Sequence, residues 1–163
     1  MTYRLVNLPN GRVDVVYTIS EGDKTGVRSI KFEGNNAYSE GKLRGLMQTT
    51  EMNFLSWLKN TDVYDRDRIV ADEELICRYY VQRGYADFRV LDTRVNFVEG
   101  QGYDIVIVVD EGAKYRVGNV VVDSRLAGVD GPSLQKLVRV SSGDVYNGID
   151  MEKSLTDIAK ESA

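Results

Sequence analysis

The sequence repeats itself with a period of about 90 residues. Residues 13–22 read VDVVYTISEG and residues 103–112 read YDIVIVVDEG, so the aspartate and the closing Glu-Gly return at the same offset. Repeats of this length are typical of arrays in which each unit is a small domain. The chain is therefore predicted to contain parts of several similar units rather than one domain of 163 residues.

Further matches set the predicted boundaries of these units. The matching segments are residues 27–32 with 117–122, Leu43 with Leu134, and Val63 and Tyr64 with Val145 and Tyr146. Only residues 24–112 contain a complete unit. Residues 1–23 correspond to the end of a preceding unit, and residues 113–163 to the beginning of a following one.

The two incomplete units raise an expectation about association. Residues 1–23 supply two strands, which alone are marginally stable in water. Residues 113–163 supply a strand and two helices without the rest of the sheet. We expect either concentration-dependent, head-to-tail association between copies or fraying at both ends.

Composition excludes several classes of function. The chain has no histidine and a single cysteine, Cys77, so zinc sites and histidine-based catalysis lack their usual residues. We expect no enzyme activity, no cofactor and no metal, and we expect Cys77 to be a small buried hydrophobic residue. A net charge of -4 argues against nucleic-acid binding. The sequence also contains no apolar run of about 18 residues and no signal peptide at its start.

The pattern of the complete unit predicts the order strand, helix, helix, strand, strand. Residues 27–33 form the first strand, Ser39 caps a short helix, and Asp65 caps a longer one that stops at Gly84.

The apolar positions then change phase. They are even-numbered in residues 86–90 and odd-numbered in residues 91–97, which indicates a β-bulge near Leu91. Residues 99–102 form a hairpin turn, and the nearly all-apolar residues 103–109 form the central strand. The sequence predicts an α+β unit in which a three-stranded mixed sheet packs on two helices and the second strand lies at an edge.

These motifs resemble the POTRA repeats of the outer-membrane protein assembly factor (BamA) family, most closely the third repeat with parts of the second and fourth. The resemblance covers essentially the whole chain. The segments that carry it are residues 30–35 (IKFEGN), 37–39 (AYS), 79–85 (YYVQRGY), 126–128 (LAG) and 146–148 (YNG), together with the Glu-Gly that closes each unit.

The resemblance implies a non-catalytic segment on the periplasmic face of the bacterial outer membrane, in a parent protein with a C-terminal β-barrel. Its implied partners are unfolded outer-membrane proteins and accessory assembly lipoproteins, bound by β-augmentation, in which an extended peptide pairs with a free strand edge. Other proteins with such repeats, in translocation, secretion or cell division, are the alternative. A remote alternative is an enzyme that uses Gly100 and Gly102 as a phosphate loop or residues 72–74 as an acid/base cluster, although a solvated helix face explains the latter better.

The predicted partner-binding residues fall in two segments. The first is the edge strand of residues 86–97, with the candidate residues Arg89, Val90, Leu91, Asp92, Thr93, Arg94, Val95, Asn96 and Phe97. The second is Thr49 and Thr50, which the resemblance places beside the end of that strand, so that they form one lipoprotein-docking surface with Val95 and Phe97. The nearby Phe54, Leu55, Trp57 and Leu58 are interpreted as a cap on the core, with a partner-binding patch as the alternative. Tyr64 and Tyr146 are interpreted as packing residues.

Overall fold

The computed structural model describes residues 2–8, 12–18, 25–54, 61–123 and 131–161. The predicted core-capping residues Leu55, Trp57 and Leu58, the Glu-Gly at residues 21–22 and the LAG motif at residues 126–128 lie outside these ranges. The strands are β1 (Thr2–Leu8), β2 (Arg12–Thr18), β3 (Val27–Glu33), β4 (Arg89–Val98) and β5 (Gly102–Asp110). The helices are α1 (Glu40–Arg44), α2 (Arg66–Val81), α3 (Gly131–Gln135) and α4 (Gly148–Glu161).

The predicted strand order of the complete unit is confirmed. The sheet has the order β3-β5-β4, with β5 parallel to β3 and antiparallel to β4. The ladder between β4 and β5 shifts register between Val90 and Asp92, which confirms the bulge at Leu91. At the hairpin, Gly102 has φ 118°, and a Cβ there would lie 2.4 Å from the Gly26 carbonyl oxygen, so glycine is required.

The predicted start of the edge strand at Ala86 is wrong, because β4 begins at Arg89. The Phe88 amide donates to the Tyr85 carbonyl in a turn, 3.2 Å away, and is not available for a strand ladder. Phe88 is nevertheless buried, and its ring stacks on Tyr80 with centroids 4.1 Å apart. The apolar pattern thus reported burial correctly but not strand pairing.

Local side-chain bonds begin both helices where the sequence predicts. The Ser39 hydroxyl accepts from the Lys42 amide at the start of α1, and the Asp65 carboxylate accepts from the Asp67 and Arg68 amides at the start of α2. Gly84, at φ 102°, ends the turn after α2; a Cβ there would lie 3.0 Å from the Tyr115 carbonyl oxygen.

One apolar core joins the sheet to the two helices. Its fully buried members come from every layer and include Val27, Ile30, Leu43, Ile76, Tyr80, Ile105 and Ile107. Tyr64 packs against this core with its ring 4.4 Å from that of Tyr103, as expected for a packing residue. Cys77 is only partly buried against the core, and desolvation there raises the pKa of its thiol.

Asp72 does not belong to a solvated helix face, and that part of the sequence interpretation is wrong. Its side chain is fully buried, and its carboxylate accepts from the amides of Gln48, at 2.6 Å, and Thr49, at 3.0 Å. These bonds satisfy backbone donors of the segment that follows α1. A buried carboxylate is tolerated here because both of its oxygens are hydrogen-bonded.

The Glu-Gly motif at the end of β5 also has a structural role. The Glu111 carboxylate accepts from the Ala37 amide, at 2.9 Å, and from the buried Tyr80 hydroxyl, at 2.7 Å. It thereby ties the end of β5 to the loop after β3 and to the last turn of α2. Burial, followed by this hydrogen bond, raises the pKa of Tyr80 far above its ordinary value, so the phenol stays protonated.

Several hydrogen bonds recur at equivalent positions later in the chain. The Val27 amide donates to the backbone carbonyl of Asp62, and the Val117 amide donates in the same way to that of Asp144. Likewise, the Tyr64 amide donates to the Thr25 carbonyl, and the Tyr146 amide donates to the Tyr115 carbonyl. Residues 117–122 form no strand, in contrast to the expectation. The equivalent residues of β3 form a strand because they pair with β5, about 75 residues later, whereas residues 117–122 have no such partner strand among the described residues. The hairpins also correspond, since Leu8 lies opposite Arg12 as Val98 lies opposite Gly102.

The sheet face away from the helices carries ion pairs. Arg28 binds Asp104, Arg89 binds Asp110 at 2.7 Å, and Arg94 reaches across β5 to Glu33. These long side chains cover the half-buried valines of β5 and leave the face polar.

Substitution of the buried carboxylate should destabilise the unit. We expect Asp72→Ala to lower the free energy of unfolding by about 3 kcal/mol, because two amides lose a charged acceptor. Glu74→Ala, at an exposed position of the same helix, should change it by less than about 0.5 kcal/mol. Urea unfolding of both variants gives the comparison, and equal midpoints would contradict the role assigned to Asp72.

The ion pair at Asp104 predicts a pH dependence at acid pH. Hydrogen bonds from Arg28 and then Ser29 lower the pKa of Asp104 from 3.8 to about 2. Because the folded-state pKa lies below the unfolded one, this stabilisation is complete above the ordinary pKa and is lost as the pH falls through about 2. The difference in urea midpoint between the natural chain and Asp104→Asn should therefore be constant above about pH 5 and shrink below it. Glu99→Gln, at the exposed hairpin turn, is the control for loss of one charge, and a pH-independent difference for Asp104→Asn would contradict this role.

Candidate strand-pairing edge

The two edges of the three-stranded sheet differ in how their backbone groups are satisfied. At the β3 edge the Val27 carbonyl accepts from the Met52 amide at 2.7 Å, and the Ile30 amide donates to the Glu51 carboxylate at 2.8 Å. Arg44 donates to the Ile30 carbonyl at 3.3 Å and also binds Glu51 at 3.0 Å. The segment after α1 therefore closes the β3 edge.

Among the described residues, the β4 edge has no comparable cover. Within the described ranges, no backbone or side-chain group outside the β4–β5 hairpin hydrogen-bonds to the backbone of β4. An edge of this kind presents unpaired donors and acceptors to other chains.

The register shows which groups face outward. The Tyr103 amide donates to Gly26, on the β3 side, so Tyr103 and the opposing Phe97 form a non-hydrogen-bonded pair. The amide and carbonyl of Phe97 therefore point to the open edge. Because such pairs alternate along an antiparallel ladder, Thr93 and Val95 also direct their backbone groups outward.

The same three residues place their side chains on the helical face of the sheet. The Thr93 hydroxyl donates to Glu73 of α2 at 2.6 Å, and the Phe97 ring lies 5.1 Å from that of Tyr103. An open groove of about 590 Å³ runs between β4 and α2, and its apolar lining includes Tyr64, Ile69, Val70, Leu91 and Val95. A strand added to this edge would direct every second side chain into the groove.

The remaining predicted residues of β4 have other positions. Arg89 and Arg94 are held on the outer sheet face by Asp110 and Glu33, and Asp92 lies beside Arg94 there, 3.7 Å away. Asn96 is exposed and, by the alternation along β4, lies on that same face. Val90 packs against the core, whereas Leu91, the extra residue of the bulge, is 56% exposed.

The structure does not bring Thr49 and Thr50 together with Val95 and Phe97. Thr49 is buried, with its amide bound to Asp72 and its hydroxyl without a partner among the described residues. Thr50 pairs with Thr61 through its amide and its hydroxyl, each at 3.0 Å. Both threonines lie in the segment that runs beside β3, on the other side of β5 from β4.

Met52 connects that segment to Phe97, and the sequence interpretation missed it. The two residues line a groove of about 460 Å³ at the hairpin end, above Gly26 and Gly102. No periodic pattern covers residues 49–54, so only the unusual density of large apolar residues could have drawn attention to Met52. Phe54 is 87% exposed, which excludes it from the predicted core cap.

Within the described residues, no helix is long and apolar enough to cross a membrane, and no group of acidic or thiol side chains could hold a metal ion.

Residues 25–112 match the POTRA family model, which is described as a surface antigen variable number repeat. The outer membrane protein assembly factor BamA of Neisseria meningitidis is 32% identical over 159 residues, which is 97% of this chain and 20% of that protein. BamA of Neorickettsia risticii is also 32% identical, over 96% of this chain and 21% of that protein. The chain thus spans about a fifth of the length of these relatives.

Solved structures show the same fold. The crystal structure of POTRA domains 3–5 of Haemophilus influenzae BamA matches 84% of this chain and 54% of that one, with a TM-score of 0.68 and 20% identity. BamA of Haemophilus ducreyi lacking POTRA domains 1–3 matches 83% of this chain and 24% of that one, with a TM-score of 0.58 and 18% identity. The chain belongs to the POTRA family, whose repeats in BamA are non-catalytic, and the prediction that it is not an enzyme is thereby confirmed.

Proposed function

We propose that this chain is a periplasmic receptor segment of an outer-membrane β-barrel assembly factor. Its β4 edge binds extended segments of unfolded outer-membrane proteins by β-augmentation. The similarity to BamA supports the cellular context, since the matched relatives are named as outer membrane protein assembly factors. The same similarity supports our proposal that the parent protein has a C-terminal barrel at the outer membrane.

The observation that carries the proposal is the difference between the two sheet edges. Side chains and backbone of the segment after α1 occupy the β3 edge, whereas the outward groups of Thr93, Val95 and Phe97 have no partner among the described residues. A strand that pairs there gains up to six main-chain hydrogen bonds, two for each of the three residues.

This mode of binding suits a receptor for many clients. Main-chain hydrogen bonds do not depend on the client's sequence. The groove between β4 and α2 is lined by apolar side chains together with Arg66, Glu73 and Asp92, so it can receive both apolar and polar side chains of a client. The bulge at Leu91 interrupts the regular edge, so pairing is confined to the part of β4 from Asp92 onward.

We also propose the domain division into residues 1–23, 24–112 and 113–163. Its support is the recurrence of the same hydrogen bonds in the second and third parts, and of the same hairpin register in the first and second parts. The N-caps Asp65 and Asn147 each accept from amides two and three residues on. Seven residues later in each helix, the buried Asp72 and Ser154 accept from the backbone of the preceding segment.

A second surface, for an accessory lipoprotein, is proposed at the hairpin end. Phe97 and Met52, which are 52% and 38% exposed, line one groove, and Thr50 precedes Met52 by two residues in the same segment. An exposed aromatic residue beside a flexible thioether is a suitable contact for a partner's apolar side chain.

Proline substitution tests the edge directly. Val95→Pro removes an outward amide and should leave the β4–β5 ladder intact, whereas Arg94→Pro removes an inward amide and should destabilise the unit. We expect Val95→Pro to weaken binding of a peptide from an outer-membrane β-strand at least tenfold, as measured by fluorescence anisotropy, with an unchanged far-ultraviolet circular dichroism spectrum. Unchanged affinity in a folded Val95→Pro variant would refute the proposed edge.

Amide exchange gives an independent readout in the natural chain. Without peptide, the amides of Thr93, Val95 and Phe97 should exchange faster than those of Arg94 and Asn96. Saturating peptide should protect the three outward amides selectively. Protection that appears elsewhere while these three remain fast would exclude β4 as the pairing strand.

Charge at the second surface should weaken lipoprotein binding. Met52→Asp places a carboxylate in the lining of the hairpin-end groove, and Thr50→Asp places one two residues earlier in the same segment. We expect the Met52 variant to show the larger loss of affinity in titration calorimetry. Asn36→Asp, in the exposed turn after β3, is the matched control at the far end of the sheet. Equal affinity in all three variants would rule out this surface.

A further inference from the structure

Four tyrosines form a continuous cluster at the end of β5 that lies opposite the hairpin. The ring centroid of Tyr38 is 5.0 Å from Tyr79, 5.1 Å from Tyr80 and 6.2 Å from Tyr85, in edge-to-face arrangements. Tyr80 is buried, whereas the other three rings are half-buried and reach the surface. Within the described residues, none of these three has a hydrogen-bond partner for its hydroxyl, so each can donate to a bound group.

Three cations border this cluster. The Arg83 guanidinium lies 3.6 Å from the centroid of the Tyr79 ring, and the Lys42 ammonium lies 5.5 Å from the same ring. The Lys114 ammonium lies 5.8 Å from the Tyr85 ring. We refer to these four tyrosines and three cations as the cationic tyrosine cluster.

The charges of this cluster are not neutralised by the part of the protein that the structure describes. None of its three cations forms an ion pair with a described carboxylate, although the chain has more acidic than basic residues. On the outer sheet face, in contrast, Arg28, Arg89 and Arg94 all do. Glu111, which binds the Tyr80 hydroxyl of this cluster, is occupied by that hydroxyl and by the Ala37 amide.

We propose that the cationic tyrosine cluster binds an acidic, extended segment of another polypeptide. The Tyr38 ring contacts both parts of the cluster. Its centroid lies 5.0 Å from that of Tyr79, which has two cations beside it, and 6.2 Å from that of Tyr85, which has Lys114 beside it. Successive side chains on one side of an extended chain are about 6.6 Å apart, so carboxylates at alternate positions can reach the cations in turn.

The residue types fit a protein interface. Tyrosine and arginine are enriched among residues that dominate binding energy, because they combine a large apolar area with a polar group. The tyrosine hydroxyls add neutral donors to carboxylates between the cations. The cluster is at the opposite end of β5 from Phe97, so its ligand is distinct from a strand added at the regular part of β4.

Paired peptides test this inference on the whole chain. The probe is a labelled extended peptide with glutamate at every second position, and its control has glutamine at those positions. We expect the glutamate peptide to bind more tightly, and the affinity to fall about fivefold in Lys42→Gln/Lys114→Gln, as measured by anisotropy at low salt. Lys31→Gln, an exposed lysine of β3, should leave the affinity unchanged.

The outcomes separate this inference from its competitors. Equal binding of both peptides, or undiminished binding of the glutamate peptide to the folded double variant, overturns it. Phosphatidylglycerol vesicles that bind the chain through Lys42 and Lys114, without binding of the glutamate peptide, assign the cluster to a lipid surface and also overturn it. Amide shifts confined to residues 38–42, 79–85 and 114 support it, and shifts at residues 93–97 instead place the peptide at the β4 edge and overturn it.

Discussion

The constraint on which this structure depends is the satisfaction of backbone hydrogen bonds in a small sheet. A three-stranded sheet has one central strand and two edges, and every buried backbone group must find a partner. No residue of β5 is exposed, whereas β3 and β4 each carry exposed residues, so β5 takes the centre and uses its ladder on both sides. Placing β5 in the centre leaves β3 and β4 as the edges. The segment after α1 closes the β3 edge, whereas no described segment closes the β4 edge.

The closure of the β3 edge explains the roles of residues 49–54 and of Asp72, which are not part of the apolar core. Residues 49–54 have no regular structure, yet they provide the Met52 amide and the Glu51 carboxylate for β3 and are themselves held by Asp72. The buried carboxylate therefore acts on the edge indirectly, by fixing the segment that covers it. Because this segment closes β3, β4 is the edge at which we propose pairing with another chain.

Sequence patterns predicted the parts of the fold that depend on local chemistry. The caps at Ser39 and Asp65 and the bulge at Leu91 each follow from residues within a few positions of the feature. The closure of the β3 edge could not be predicted in this way, because its partners come from a segment without periodicity. Asp72 was misinterpreted because three consecutive acidic residues resemble a solvated face. Its one sequence signal is the polar residue at the equivalent position, Ser154.

The same comparison applies to the candidate site. The edge position of β4 followed from the predicted strand order. The register was needed to assign each side chain of β4 to one face of the sheet and to decide which backbone groups point to the open edge. Phe97 opposes Tyr103 in a non-hydrogen-bonded pair, and this single fact assigns outward backbone groups to Thr93, Val95 and Phe97 and outer-face side chains to Asp92 and Arg94. Arg94 then binds Glu33 across β5, which keeps its side chain over the sheet face and away from the open edge. The charged residues that protect many exposed edges are thus directed elsewhere at β4, and the backbone groups of this edge remain accessible to a partner strand.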